Sequence, residues 1–376
     1  MTGSLQEKNG KYYAVLNFKD NEGKRKQKWV SLDMDVKNNK RRAEQALSKL
    51  VGEYEEKKTV TINKQSFSDF MGEWLKIIKP SVKITTFNGY MLHYNKHVKP
   101  YFDKLNVSVA DLTPMHIQKY YNSKISEGLS ASTVKRHHAN IHKALDYALK
   151  MNIIPYNPAD RITLPKREHY VGKFYDDVQL KRLMELCTNT PIESCVFLTI
   201  NYGFRKSEVL GLKWSAVNFT DNTITVNHTV VSNVGGVVYS DTTKTKASHR
   251  TLPLTENVKN YLLALKERQE NMRVLLGNGY HESEYICTYD DGREIPPDYV
   301  THKFAKILDK SDLPKIRFHD LRHSAASLLI NSGFNLKEVQ EWLGHADVGT
   351  TGNIYSHLQY ASKVNMANRF NELLAK

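Results

Sequence analysis

Three short clusters in the second half of the chain hold residues suited to an anionic phosphate. The first is Gly203-Phe204-Arg205-Lys206-Ser207-Glu208. A guanidinium fixed just after a glycine, where one helix ends and the next begins, can fork two phosphate oxygens. An ordinary ion pair between Arg205 and Glu208 competes with that reading, and for this cluster alone it is the commoner arrangement. The second is His319-Asp320-Leu321-Arg322-His323. On a helix, His319, Arg322 and His323 share a face by i, i+3, i+4 spacing. The string approaches the H-E-x-x-H zinc helix, but Asp320 replaces the glutamate that activates water. Arg322 would also put a permanent positive charge on the metal-binding face. The third is Leu343-Gly344-His345, followed by Thr350-Thr351-Gly352-Asn353-Ile354-Tyr355-Ser356-His357. Most tyrosines are packing residues with a bonded hydroxyl. With 21 tyrosines in the chain, Tyr355 stands out only through its company of His345 and His357.

The thiols offer less. Cys187, Cys195 and Cys287 have no C-x-x-C spacing, and none has a histidine or basic cluster beside it. They read as buried thiols in a reducing compartment, not as a disulfide framework, a zinc site or a nucleophile.

Taken in order, Arg205, His319-x-x-Arg322, His345 and Tyr355 resemble the tyrosine recombinase (phage integrase) family, of the kind carried by phages and conjugative transposons. The resemblance rests on Gly-Phe-Arg-Lys-Ser-Glu, His-Asp-Leu-Arg-His, Leu-Gly-His and Thr-Thr-Gly-Asn-Ile-Tyr-Ser-His. It covers about 170–376 closely and a helical stretch over roughly 64–160 more loosely. Each motif alone is modest; the ordered set is specific. The family also implies a catalytic lysine on a β-hairpin between the first arginine and His319. Thr243-Lys244-Thr245-Lys246 fills that place, with Lys244 favoured by counting back from Leu252-Pro253 and Lys246 the runner-up. Ala216 and Asn218 follow Trp214 where the family often has acidic residues.

The chemistry that the resemblance implies is transesterification. Arg205 and Arg322 would neutralise the non-bridging phosphate oxygens as charge builds. A tyrosine hydroxyl, with a free pKa of about 10, must lose its proton as it attacks. His319 is the expected base, His345 helps hold the phosphate, and Lys244 protonates the departing 5′ oxygen. The 3′-phosphotyrosyl product keeps the bond energy, so neither cofactor, metal nor ATP is expected.

Composition and the surrounding elements agree with a DNA partner. The formal net charge is +14, with lysine and arginine along the whole chain, which favours nucleic acid over an anionic membrane. No apolar run is long enough to span a bilayer and no signal segment opens the chain, so a bacterial cytoplasmic, nucleoid-associated protein is expected. Tyr12, Ala14, Leu16 and Phe18 alternate as a strand; Trp29, Val30 and Leu32 form a second, across an Asp20–Gly23 turn. Ala43, Ala46, Leu47, Leu50, Val51 and Tyr54 fit a helix, and Glu55 to Lys64 reads as a linker. Phe70, Trp74, Leu75 and Ile78 share a helical face ended by Pro80. Thr85 or Thr86 would cap the next helix, which stops near Pro100. Ser130 to Thr133 precede a helix whose polar face carries Lys135, Arg136, His137, His138 and Lys143. Further on, helices are expected at 176–187, 191–203, 256–275, 298–310, 320–332 and 336–342, with a β stretch at 217–253.

With these elements, the family resemblance implies a multidomain fold. In it a small α+β arm-binding domain (1–63) precedes an all-α, SAM-like core-DNA-binding domain (64–165) and a mixed, mainly α catalytic domain with a small antiparallel sheet (170–376). The segment after Ala361 reads as an amphipathic helix that could pack on its own domain; the family resemblance implies instead that it docks on a neighbouring protomer, giving a homotetramer on double-stranded DNA. Lys24, Arg25, Lys26, Lys28, Lys135, Arg136, His138, Lys143 and Lys246 are the expected DNA contacts, at core and arm sites, and accessory directionality or DNA-bending proteins are compatible partners. The competing readings are a type IB topoisomerase-like relaxing enzyme, a chromosome-dimer resolvase and a catalytically dead DNA-binding regulator.

Overall fold

The computed structural model describes residues 2–19, 25–58, 65–166, 174–241, 249–344 and residue 371. The chain forms two compact units, Met1–His169 and Tyr170–Lys376. No helix among the described residues is long and apolar enough to cross a membrane.

The first unit opens with three antiparallel strands in the order β1 (Thr2–Lys8), β2 (Lys11–Lys19) and β3 (Arg25–Asp35). On β2, Tyr12, Ala14 and Leu16 are buried as expected, but Val15 is buried as well, so the alternation is only partial; the Phe18 side chain lies outside the described residues. Strand β1 was not expected, because Thr2 to Lys8 lack apolar alternation. Its signal was Asn9-Gly10, whose φ of 50° and 74° make the left-handed two-residue turn that matches strand twist. Helix α1 (Lys40–Lys58) lies over this sheet. A Cβ on Gly3 would sit 2.6 Å from Val51 Cγ2 and 3.0 Å from Leu47 Cδ1, so glycine there admits the helix. The helix runs on through Glu55–Lys58, which the sequence reading assigned to a linker. Glutamate and lysine are good helix formers, and polarity alone does not stop a helix. The Asp20–Gly23 turn lies outside the described residues.

The helical part begins at α2 (Phe67–Ile78), capped by Ser66, whose hydroxyl accepts from the Asp69 amide. Next come α3 (Ile84–His93), a π-helical turn at Tyr94–Val98 and α4 (Lys99–Leu105). Two expectations fail here. The cap is Lys83, with Thr85 and Thr86 inside the first turn. The chain also stays helical through Pro100, because that proline falls in the first turn after the π turn, where its missing N–H is harmless. Helix α5 (Pro114–Ser126) and helix α6 (Ala131–Lys150, capped by Ser130) complete the layer. Phe67, Trp74, Phe102, Tyr120, Ile141 and Leu145 are central to its core.

His137 is a correction. It was placed on the polar face of α6, yet it is fully buried. Its Nδ1 meets the Tyr120 hydroxyl at 2.9 Å, and its ring lies 4.8 Å from that of His93 and 5.0 Å from that of His97. Burial, then repulsion from His93, His97 and Lys124, pushes its pKa down to about 3. The folded state thus refuses a proton that the unfolded state accepts near pH 6.5. Stability is therefore full above that pH and is lost as pH falls toward 3, by roughly 2 kcal/mol at pH 5. Hydrogen exchange across α6, corrected for intrinsic rate, should show this loss between pH 7 and pH 5. The loss should shrink in His137→Gln; an equal loss in the variant would contradict the assignment.

The second unit contains α7 (Asp177–Cys187), α8 (Glu193–Tyr202) and the short α9 (Lys206–Leu210). Among the described residues, the expected β stretch is five short strands in two sheets: β4 (Val217–Asn218), β5 (Thr223–Val226), β6 (Thr229–Asn233), β7 (Gly236–Ser240) and β8 (Arg250–Pro253). One sheet runs β4-β5-β8 and the other is the β6-β7 hairpin, which turns at Val234-Gly235. Helices α10 (Glu256–Leu276), α11 (Pro297–Asp309), α12 (Asp320–Asn331) and α13 (Leu336–Leu343) fall close to the expected spans. The main core includes Leu198, Val209, Ile224, Leu262, Phe304 and Leu321, and α12 and α13 share a smaller one of Ala326, Val339 and Leu343.

Candidate active site

Helix α8 ends at Gly203 with φ of +64°. A Cβ there would lie 2.2 Å from Leu343 Cδ2, so both the backbone turn and the close approach of α13 require glycine. Two residues on, Arg205 stands at the start of α9. Its backbone N–H donates to the Glu208 carboxylate at 3.1 Å, and its guanidinium pairs with the same carboxylate. Its Nη2 donates to the Gly344 carbonyl at 3.0 Å. The side chain remains 26% exposed.

Arg322, in the first turn of α12, is placed differently. It is fully buried, and its Nη1 and Nη2 donate to the Gly203 carbonyl at 2.7 Å and the Leu343 carbonyl at 2.6 Å. It thereby ties α8, α12 and α13 together. Glu208 Oε2 is 3.9 Å away. A third arginine, Arg250 at the head of β8, donates from Nη2 to Glu208 Oε2 at 3.1 Å and from Nε to the Trp342 carbonyl at 2.9 Å. Burial opposes ionisation of Glu208, but Arg250, Arg205 and Arg322 outweigh it and hold its carboxyl below the usual range. Burial and repulsion from Arg205 and Arg250 push Arg322 down to about 9, which leaves it cationic at neutral pH. Three guanidiniums thus gather around one buried carboxylate. That excess of positive charge is held in place before any ligand arrives.

Neither Arg250 nor the central place of Glu208 was expected. A signal existed: in β8, Arg250 and Leu252 share the buried face while Thr251 and Pro253 face out. A charge on the inward face of a strand demands a buried counter-charge. The expected ion pair between Arg205 and Glu208 is present, but it is part of a larger cluster that also includes Arg322.

His319 precedes α12 at the surface, and its ring lies 5.3 Å from that of His323 in an edge-on arrangement. Surrounding protein, then His323, Arg322 and Arg205, pushes its pKa down to about 4, against the opposing effect of Asp320. The imidazole is therefore neutral at pH 7. Asp320 is fully buried and paired with Arg317 at 2.7 Å, which occupies the carboxylate that a zinc reading would need.

Lys244, Lys246, His345 and Tyr355, together with the tail helix, lie outside the described residues. The points where the chain leaves the described structure for three of them are nonetheless informative. Leu343 and Gly344, which directly precede His345, supply carbonyls to Arg322 and Arg205. Arg250, two residues beyond the 242–248 segment, is bonded to Glu208.

Among the expected DNA contacts, Arg136 and Lys143 are exposed on α6 and Lys135 is half-buried. Lys143 Nζ donates to the Tyr90 hydroxyl at 3.1 Å. His138 is half-buried, with Nδ1 3.2 Å from the Tyr121 hydroxyl; burial and then His142 lower its pKa, so it brings no charge at neutral pH. Lys26 and Lys28 are exposed on β3 and share one face by their i, i+2 spacing. Arg25 begins that strand, and Lys24 lies outside the described residues.

Comparison with known proteins agrees with this fold. Residues 173–362 match the phage integrase family, and residues 66–125 match its N-terminal SAM-like domain. A tyrosine recombinase XerC-like protein of Caldanaerobacter subterraneus is 28% identical, over 82% of this chain and 83% of its own. The ICEBs1 integrase of Bacillus subtilis is 27% identical, over 87% and 88%. Among solved structures, the Tn1549 transposon integrase in complex with a circular intermediate DNA superposes with a TM-score of 0.66 at 18% identity, covering 81% of this chain and 99% of that one. The chain belongs to the phage integrase family of tyrosine recombinases. It is an enzyme that cleaves and rejoins DNA, a site-specific integrase of the mobile-element type.

Proposed function

We propose that this integrase cuts DNA with the hydroxyl of Tyr355 and holds the scissile phosphate beside the Arg205–Glu208–Arg250–Arg322 cluster. The observation that carries the proposal is the cluster's fixed surplus of positive charge, reached through the partly exposed Arg205. Arg205 contacts a non-bridging oxygen. Arg322 stands behind it, adds positive potential and fixes the backbone from which His345 and Tyr355 follow. His319, neutral at pH 7, accepts the tyrosine proton. His345 steadies the phosphate, and Lys244, or Lys246 in its place, protonates the leaving 5′ oxygen. The P–O bond to tyrosine forms as the P–O5′ bond breaks, so energy is conserved for religation by another 5′ hydroxyl.

The sheet with α1 is an arm-site reader through Lys24, Arg25, Lys26 and Lys28, and α6 contacts core-site phosphates through Lys135, Arg136 and Lys143. Neutral His138 is the weakest of the expected contacts, and Lys246 would meet DNA beside the cleavage point. The lambda integrase tetramer bound to a Holliday junction, with a TM-score of 0.58 at 18% identity, supports a homotetramer as the working assembly. Accessory bending or directionality proteins would act on that assembly, in the cytoplasm at the nucleoid.

The test is strand exchange between two element-end duplexes in chelator and without ATP. Recombinant products at a defined position are expected. Loss of activity in chelator would restore a metal mechanism, and sequence-independent relaxation without exchange would make the enzyme topoisomerase-like.

A further inference from the structure

Asp241 is the last described residue before the 242–248 segment, which carries both candidate lysines. It lies just past the last paired rung of the β6-β7 hairpin, Thr229↔Ser240, opposite His228. His228 Nδ1 is 2.6 Å from Asp241 Oδ1, and His228 Nε2 is 3.0 Å from the Tyr285 hydroxyl. The imidazole is buried and so is Tyr285, whereas the Asp241 side chain is 89% exposed. One proton on Nδ1 satisfies the whole chain: it donates to the carboxylate, and Nε2 accepts from the phenol. Burial, then Glu294, Glu284 and Asp241, pushes Tyr285 up to about 12, so its hydroxyl remains a donor.

An exposed aspartate held by a buried histidine, itself held by a buried tyrosine, is more than surface pairing requires. The backbone around it is equally constrained. A Cβ on Gly211 would lie 2.6 Å from the His228 carbonyl oxygen and 2.7 Å from Thr229 Cα. Gly211 closes the C-terminus of α9, the helix that Arg205 opens. The backbone bearing His228 is therefore packed directly against the helix of the arginine cluster. On the other side of the 242–248 segment, Arg250 is bonded to Glu208 of that same helix. Both ends of the segment are referred to α9.

We infer that His228 and Asp241 are positioning residues, which hold the strand end preceding the lysine at a fixed distance from the Arg205 helix so that the acid meets the leaving oxygen. The inference rests on the reading that Lys244 or Lys246 is the general acid. In the normal reaction the lysine ammonium gives its proton to O5′ as the P–O5′ bond breaks and the bond to the tyrosine oxygen forms. If sulfur replaces that bridging oxygen, the leaving thiolate is stable near neutral pH and needs no acid.

The experiment compares single-turnover cleavage of a normal strand and a 5′-bridging phosphorothiolate strand by the full chain and by Asp241→Ala, His228→Phe, Lys244→Ala and Lys246→Ala. Asp241 is exposed, so its variant tests the idea even if His228→Phe folds poorly. Asp241→Ala should cleave the oxygen strand roughly tenfold more slowly, a part of the hundredfold or more that a proton donor supplies, and the sulfur strand within about twofold of the parent. One lysine variant should be rescued by sulfur in the same way. Equal slowing of Asp241→Ala on both strands, or no slowing, with a lysine variant rescued, overturns the positioning role alone. Failure of sulfur to rescue either lysine variant removes the lysine reading and the positioning role with it.

Discussion

The Tyr355→Phe chain should bind element-end DNA as the parent does and form no covalent adduct. The substitution removes one oxygen and leaves the ring, so packing and phosphate contacts are retained while the attacking atom is gone. No neighbouring group replaces it in this mechanism, and the loss should be complete within detection, at least about ten-thousandfold for removal of a nucleophile. Gel-shift affinity and detergent-resistant adduct on a suicide substrate measure the two properties separately. An adduct persisting in Tyr355→Phe would move the assignment to Tyr360.

Arg205→Ala and Arg322→Ala should both abolish cleavage in metal-free buffer, yet differ in stability. Each removes a preorganised positive group, which costs on the order of a hundredfold or more in rate. Arg205 is partly exposed, and its loss leaves Arg250 and Arg322 to balance Glu208. Arg322 is enclosed, and its loss strips two donors from the buried Gly203 and Leu343 carbonyls. Unsatisfied buried acceptors, together with the cavity, should cost about 2–4 kcal/mol in the second unit. Urea unfolding monitored beside single-turnover cleavage will separate the two variants. Equal stability losses would show that Arg322 does not join α8, α12 and α13 as the hydrogen bonds indicate.

Residues near one another in sequence made much of this legible. Helices in the second unit fall close to the expected spans, and Gly203 marked the end of one of them. Arg205, His319 and Arg322 stood out because their motifs are short and ordered. Long-range partnership was hidden. Arg250 meets Glu208 across 42 residues, and only the inward face of β8 hinted at it. His137 looked polar by type but falls on the core side of α6, where Tyr120 satisfies one of its nitrogens. The β stretch divided into two sheets because its strands pair with different partners, β5 with β8 and β6 with β7, and periodicity carries no pairing information. Strand β1 was overlooked because an edge strand with one weakly apolar face has little alternation to show.

The most direct test of Tyr355 as nucleophile is identification of the residue that carries the DNA. The full chain is trapped on a nicked suicide substrate in chelator, digested with nuclease and protease, and the nucleotide-bearing peptide sequenced by mass spectrometry. The account predicts a 3′-phosphonucleotide on Tyr355. Attachment to Tyr360, to a cysteine or serine, or through a 5′ phosphate would contradict it.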